Sequence, residues 1–259
     1  SESSILGFVT KTEVGRPIAS FYGYVTDGIF NTFEEVKNSP QYDYGKNDFE
    51  QTTRPGDFRF KDLNHDGVIT AEDRTFLGSP FPDMVFGIPL SCSYDNFDLN
   101  LLFQGQTGNK IFNVMDYYLN NAAAGNLYAD IRSKHWSGQI AYREFFPLNL
   151  NGSVPDLGTS DIPRNFRASD FLLKDGSYLR LKEVRLTYRF KSEISSALGL
   201  AELALFGNCY NLLTFTRYNG FDPEVGKVYG TESNNLNIGV DHGNYPQART
   251  FTFGFKMVL

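Results

Sequence analysis

The sequence predicts an all-β chain of antiparallel strands, and three observations point there. Apolar and polar residues alternate with period two in runs of about ten residues, near the 9–11 that a tilted membrane strand needs and above the 5–6 usual in soluble sheets. Aromatic residues make up 15% of the 259 residues, with 24 Phe and 15 Tyr against one Trp. Strands favour such residues, and membrane barrels collect them in interfacial girdles. Long polar segments separate the runs: Lys37 to Pro55, Asn149 to Arg167 and Phe221 to Pro246. Compact soluble domains rarely carry several such connections, whereas barrels have short turns on one side and long loops on the other.

Two short helices are expected first. One covers Thr32 to Val36 behind Asn31 as N-cap; the other lies within Asn126 to Trp136, where Leu127 and Ile131 are apolar. The first long strand sets Phe86, Ile88, Leu90, Cys92 and Tyr94 against Gly87, Pro89, Ser91 and Ser93. Asp95-Asn96 then reads as a tight turn. The return strand places Phe97, Leu99, Leu101 and Phe103 on one face, with Asp98, Asn100 and Gln104 on the other. Val184, Leu186, Tyr188 and Phe190 alternate with Glu183, Arg185, Thr187 and Arg189. Leu203 to Asn211 is a further strand. The terminal strand, Arg249 to Leu259, sets Phe251, Phe253, Phe255, Met257 and Leu259 against Thr252, Gly254, Lys256 and Val258. A sandwich face would alternate in the same way. Large aliphatic and aromatic residues facing charged or small polar ones favour the membrane reading.

Composition bounds the function. Mean hydropathy is −0.33 with 41% hydrophobic residues. Lumen-facing polar residues make that value compatible with a barrel. No run approaches 18 consecutive apolar residues, so a transmembrane helix is excluded. Ser1-Glu2-Ser3-Ser4 lacks the basic region and apolar core of a signal peptide, so a mature form, a fragment or a cytosolic chain is expected. A net charge of −6 without a basic cluster excludes nucleic acid as the natural partner. Cys92 and Cys209 have no metal-binding spacing and read as buried or lipid-facing free thiols.

The sharpest local motif runs from Asp62 to Asp73. Asp62, Asn64 and Asp66 stand where a calcium loop places its first oxygen ligands, and Gly67 where it turns sharply. Val68 would offer its backbone carbonyl, and Asp73 closes the loop where an EF-hand has Glu. Asp57-Phe58-Arg59-Phe60 ahead of it looks extended, so this is an isolated calcium-type loop and not an EF-hand. The expected cofactor is one structural calcium ion that rigidifies the loop; the alternative is an Asp/Asn/Gly turn without an ion. Catalytic constellations are missing. His65, His135 and His242 are far apart in sequence, and no nucleophile elbow, zinc-protease or phosphate-binding motif occurs, so an enzyme is not expected. The loop tyrosines Tyr42, Tyr44, Tyr117, Tyr118, Tyr142, Tyr218 and Tyr229 could stack on sugar or peptide ligands, but interfacial or loop packing is the simpler reading.

Several segments then converge on one family. They are Val14 to Tyr24 with Asp27 to Phe30, and Gly56 to Gly67 with Asp73-Arg74 and Leu77-Gly78. Pro80 to Asp83 with Phe86-Gly87 follows, then Asp175-Gly176-Ser177-Tyr178-Leu179-Arg180-Leu181-Lys182. Asn211 to Tyr218 with Gly220-Phe221-Asp222-Pro223-Glu224 comes next, and last Tyr245-Pro246-Gln247-Ala248-Arg249-Thr250-Phe251. In this order they resemble the C-terminal region of SusC/RagA-type TonB-dependent outer-membrane transporters, over about Gly15 to Leu259. The resemblance implies an antiparallel transmembrane β-barrel of about 22 strands in the full protein, its lumen closed by a plug. It further implies import of oligosaccharides or peptides, energy delivered through TonB, and a SusD-like surface lipoprotein as lid. The location implied is the bacterial outer membrane, with membrane lipid around the barrel. Residues 1–259 would be the C-terminal portion of that barrel, with the calcium-type loop at 56–78 and the plug and TonB-contacting segment absent. By length, roughly eight to ten strands are expected, with two unpaired edges. Leu259 stands where a barrel often ends on an aromatic residue. The alternative is a soluble extracellular calcium-binding β-domain that binds glycans.

Overall fold

Five long strands form one antiparallel sheet: β1 (Met84–Tyr94), β2 (Phe97–Thr107), β3 (Tyr178–Arg189), β4 (Glu202–Thr216) and β5 (Thr250–Val258). This computed structural model describes residues 2–3, 7–47, 51–121, 125–138, 148–157, 165–226 and 238–259. The sheet order is β5-β4-β3-β2-β1, so it is open, with β1 and β5 at its edges. Asp95 takes a positive φ of 51° and lets Asp95-Asn96 close the β1–β2 hairpin in two residues. Pro89 lacks a backbone donor and sits on the edge strand, where that loss is tolerated.

Register makes the sheet two-faced. Ile88 lies opposite Phe103, Leu90 opposite Leu101 and Cys92 opposite Leu99. Val184 lies between Leu101 and Cys209, Leu186 between Leu99 and Gly207, and Tyr188 between Phe97 and Leu205. On β5, Phe255, Phe253 and Phe251 stand opposite Leu205, Gly207 and Cys209. The apolar sets of all five strands therefore share one face, because any one-residue slip would send a strand's set to the other side. That face is uncovered: Phe253 is 81% exposed and Phe251, Phe255, Met257 and Leu205 are each more than half exposed. The other face carries Asp98, Asn100, Glu183, Arg185, Arg189 and Lys256.

A β-bulge shifts the register between Leu181 and Glu183 against both neighbours of β3. Asn211 sits at this irregularity on β4 with φ of 54°, and its Nδ2 donates to the Ala248 carbonyl. The bulge explains why the alternation of β4 breaks at Asn211 although the strand continues to Thr216. Eleven residues at about 3.4 Å rise make about 37 Å of strand, or about 26 Å of height at a tilt of about 45°, close to the apolar band of a membrane barrel.

Five long strands among the described residues stand where the length allowed eight to ten. Residues 1–80, 110–174 and 225–243 instead form a separate compact unit. Its core gathers Val9, Phe21, Phe112, Val114, Tyr117, Phe166, Ala168, Leu172 and Val240. Its strands are short: Thr10–Lys11, Ser20–Gly23 and Thr75–Gly78 make one sheet, and Thr26–Ile29 pairs with Phe58–Phe60. Lys110–Asn113 pairs in parallel with Val240–Asp241, unlike the five-stranded sheet, which is antiparallel throughout.

The helices differ in detail from expectation. Helix Phe33–Lys37 is capped by Thr32, whose side chain accepts from the Glu35 amide at 3.2 Å. Asn31 is not the cap: its Oδ1 accepts from the Trp136 indole at 2.7 Å. Only Ile131–Lys134 of the 126–136 stretch is helical; His135 turns extended, and the Trp136 amide bonds to the Val154 carbonyl. Val114–Leu119 and Ser192–Ala197 are further short helices. No helix among the described residues is long and apolar enough to cross a membrane.

Candidate functional site

The polar face of the sheet is a shallow concavity of about 670 Å³. Its charges are largely matched across strands. Arg189 pairs with Asp98 at 2.5 Å, and Lys256 with Glu202 at 2.6 Å. Ser93 donates to Asp98 at 2.6 Å, and Ser91 to Asn100 at 2.8 Å. The Arg185 guanidinium lies 4.8 Å from the centre of the Phe206 ring, a cation–π geometry.

Where this face meets the loops, Arg180 forms a buried knot. It is 2% exposed and makes three contacts: Nη2 to Asp222 Oδ1 at 2.7 Å, Nη1 to Glu224 Oε2 at 2.7 Å, and Nε to Thr214 Oγ1 at 2.9 Å. Asp222 also accepts the backbone amides of Glu224 and Gln247, both at 2.9 Å. Burial pushes the Asp222 carboxyl up. The Gln247 and Glu224 amides and the Arg180 guanidinium pull it down by more, so it lies below the usual carboxylate range. Arg180 thus binds the segment after β4 and the segment before β5 to β3. Three sequence motifs that carried only a resemblance are here joined physically. The available signal was an Arg on the polar parity of a strand and two acids spaced two apart at Asp222 and Glu224, but no spacing rule connects positions more than forty apart.

The calcium-type loop lies in the other unit, and its residues act mainly on its own backbone. Asp62 accepts from the His65 amide at 2.7 Å and the Gly67 amide at 2.9 Å. Asn64 Oδ1 accepts from the Asp66 amide, and Asp66 Oδ1 from the Val68 amide. Gly67 has φ of 84° in open space, as the sharp turn requires. Val68 is exposed. Asp73 is fully buried and takes the Leu63 and Thr70 amides, closing a capping box on the 3₁₀ turn Ala71–Asp73. Burial raises its carboxyl, and the Thr70, Leu63 and Asn64 amides lower it by more, leaving it below the usual range. Among the described residues no group of three His, Cys, Asp or Glu is gathered closely enough to hold a metal ion.

The remaining sequence candidates fall in separate places. Tyr42 and Tyr44 meet edge to face at 5.0 Å, with Tyr44 exposed. Tyr117 and Tyr118 pack edge to face at 5.1 Å, and Tyr117 and Tyr218 are buried. Tyr142 and Tyr229 lie outside the described residues. His135 is buried, with Nδ1 on the Ile131 carbonyl. Cys92 is exposed on the apolar face and Cys209 is buried, both as free thiols.

No family model matches the sequence. The chain is similar to TonB-dependent receptor P3 of Formosa agariphila, 36% identical over 246 residues, which is 94% of the chain and 22% of that relative. It is also similar to SusC, a TonB-dependent receptor of Bacteroides thetaiotaomicron, 23% identical over 215 residues, or 81% of the chain and 18% of that relative. Its fold matches the RagAB peptide transporter with a TM-score of 0.69 at 22% identity, over 96% of the chain and 23% of that structure's chain. The chain spans about a fifth of the curated relatives' length. Its curated homologues are therefore TonB-dependent receptors, SusC among them, and its fold is similar to that of a RagAB transporter chain.

Proposed function

We propose that residues 1–259 form the C-terminal part of the barrel wall of an outer-membrane, TonB-dependent transporter that imports oligosaccharides or peptides. A SusD-like surface lipoprotein would cover its mouth. Ligand is captured at the external side, TonB-driven movement of the plug opens the lumen, and the polar face of the sheet lines the route. The observation that carries this reading is the two-faced sheet, with bare aromatic and aliphatic residues on one side and cross-paired charges on the other. In water such a face would be a large exposed apolar patch, which disfavours the soluble, glycan-binding alternative. Connectivity supports an orientation. Every long segment joins the sheet at the Met84, Thr107, Tyr178, Thr216 and Thr250 end, whereas a two-residue turn and residues 190–201 close the other. Long loops belong outside the cell and short turns face the periplasm. The chain's own residues do mechanical work: the Arg180 knot holds the loop segments against the wall, and the Asp98–Arg189 and Glu202–Lys256 pairs keep the wall charged without strong net attraction.

The test is fractionation. The parent gene product should sediment with outer membranes and need detergent for release. A stable, detergent-free monomer would instead support the soluble reading.

We further propose that the 56–78 loop binds one calcium ion through Asp62, Asn64, Asp66, the Val68 carbonyl and Asp73. The carboxylate oxygens that accept amides keep second lone pairs for a cation, and binding would have to draw Asp62, Asp66 and Asp73 closer than they stand without the ion. Calorimetric titration should show calcium uptake that Asp66→Ala weakens, and equal uptake by both proteins would remove the proposal.

A further inference from the structure

Strand register gathers one row of polar side chains across the whole sheet. Ser91 stands opposite Asn100, Asn100 opposite Arg185, Arg185 opposite Asn208 and Asn208 opposite Thr252. Ser91, Asn100 and Arg185 line the concavity of the polar face. Arg185 is the one charged member of the row. The other two cations of the concavity are neutralised, Arg189 by Asp98 and Lys256 by Glu202. The Arg185 guanidinium, by contrast, has no hydrogen-bond or ion-pair partner among the described residues and lies 4.8 Å from the centre of the Phe206 ring. Phe206 is itself held in place over Gly254, where an added Cβ would meet the ring at 2.7 Å. On one side of Arg185, Asn100 Oδ1 accepts the Ser91 hydroxyl at 2.8 Å, and Asn100 Nδ2 has no partner among the described residues. On the other side, Asn208 Oδ1 is buried without a partner. Unmet donors beside an unmet acceptor are costly in a purely structural position and mark one that a ligand completes.

We propose that Arg185, with Asn100, is a contact on the translocation route for a carboxylate of the imported solute. The inference rests on the transporter reading above. A guanidinium laid on an aromatic ring has its flat face covered and its N–H edge free. Its rotamer is then fixed in advance, so a bidentate carboxylate pair forms at little further entropic cost. Glu183 faces the same concavity two residues along β3. It would repel a dianion, so a singly charged carboxylate fits where a phosphate monoester does not. The Asn208 acceptor suits a hydroxyl or N–H next to that carboxylate. The C-terminus of a peptide and the carboxyl of a sugar acid both offer this chemistry.

The test measures binding to the full-length receptor in detergent by isothermal titration, using two matched pairs of probes. One pair is N-acetylated penta-alanine with a free C-terminal carboxylate and with a C-terminal amide. The other is an oligouronate and its carboxyl-reduced, neutral form. The wild type should bind the carboxylate member of one pair at least about tenfold more tightly, as expected for a charge-assisted bond. The pair that shows it identifies the source. Arg185→Gln should lose the preference, and Arg185→Lys should keep only part of it, because an ammonium cannot form the bidentate pair. A preference absent from both pairs, or unchanged in Arg185→Gln, overturns the proposal. An unchanged preference with a lowered Tm in Arg185→Gln would make Arg185 a contact of the plug instead. Labelling of two adjacent positions separates this failure from failure of the barrel reading. In nanodiscs a water-soluble maleimide should modify Ser91→Cys in a Cys92→Ala background and leave the wild-type Cys92 untouched. That pattern without a carboxylate preference means that only the carboxylate site is wrong. The reverse pattern means that the two faces are wrongly assigned, and the site falls with them.

Discussion

Asp222→Ala is the most informative single perturbation. The substitution removes one charge-assisted bond to Arg180 Nη2 at 2.7 Å and two acceptor contacts to the Gln247 and Glu224 amides at 2.9 Å. Asp222 is 7% exposed on its side chain and Arg180 2%, so water cannot replace those contacts cheaply. A buried pair broken from one side costs about 3–5 kcal/mol, and two stranded amides alone about 1–3 kcal/mol each. Arg180 keeps Glu224 and Thr214, so its charge is not orphaned, and the low end, about 3 kcal/mol, is expected. Glu224 is 36% exposed, and solvent screening brings Glu224→Ala down to about 1 kcal/mol. Asp27→Ala is the surface control: Asp27 is 52% exposed and pairs with Arg59 at 3.3 Å, a contact worth about 0–1 kcal/mol. Equilibrium urea unfolding of the receptor in detergent should rank the losses Asp222, Glu224, Asp27. The pH arm has a definite sign. The folded Asp222 carboxyl lies below its unfolded value, so its stabilisation is complete above the ordinary carboxylate value of about 3.9 and is lost as pH falls through the folded value. The wild type should therefore lose stability more steeply than Asp222→Ala as pH drops below about 4. Equal losses for Asp222→Ala and Asp27→Ala, or parallel pH curves, would refute the knot as a stabilising element.

Three further outcomes are expected. Phe253→Arg, on the bare face, should cost about 2–4 kcal/mol of assembly in vesicles, whereas Ser91→Arg on the polar face should be nearly neutral; equal folding yields would contradict the assignment of faces. Gly56→Ala should destabilise its unit by at least about 2 kcal/mol, because Gly56 has φ of 97° and an added Cβ would meet the Trp136 ring and Asp156 at 2.7 Å. Hydrogen exchange at His135 and Trp136 reads that loss, and unchanged protection would count against it. Arg180→Lys should behave more like a deletion than a conservative change, since an ammonium cannot span Thr214, Asp222 and Glu224 at once; a loss under about 0.5 kcal/mol in the same urea assay would show the fork geometry to be dispensable.

Particular elements show how far the sequence could be read. The hairpin around Asp95-Asn96 was legible to within a residue or two, because a two-residue turn between alternating runs leaves one register. The last strand was nearly so, running from Thr250 to Val258 within the expected span. β4 was cut short at Asn211 because a bulge breaks period two without ending the strand. The 126–136 helix shrank because Trp136 is drawn into a buried pocket, where its indole bonds to Asn31. The spacing of Asp62 to Asp73 could not reveal that Asp73 is a buried cap for its own turn.

What the sequence determined by itself is everything that depends on near neighbours: which residues of a strand share a face, where the short turn falls, and which motifs stand in the order seen in TonB-dependent receptors. Alternation is local, so one strand suffices to show it. Tertiary structure alone decided that the apolar sets of five strands line up on one side, that much of the remaining chain folds as a unit with its own core, and that Arg180 finds Asp222, Glu224 and Thr214. Those outcomes depend on register and chain closure between distant segments. A buried charge takes whichever partners the closed chain brings within reach, and no period along the sequence encodes that choice.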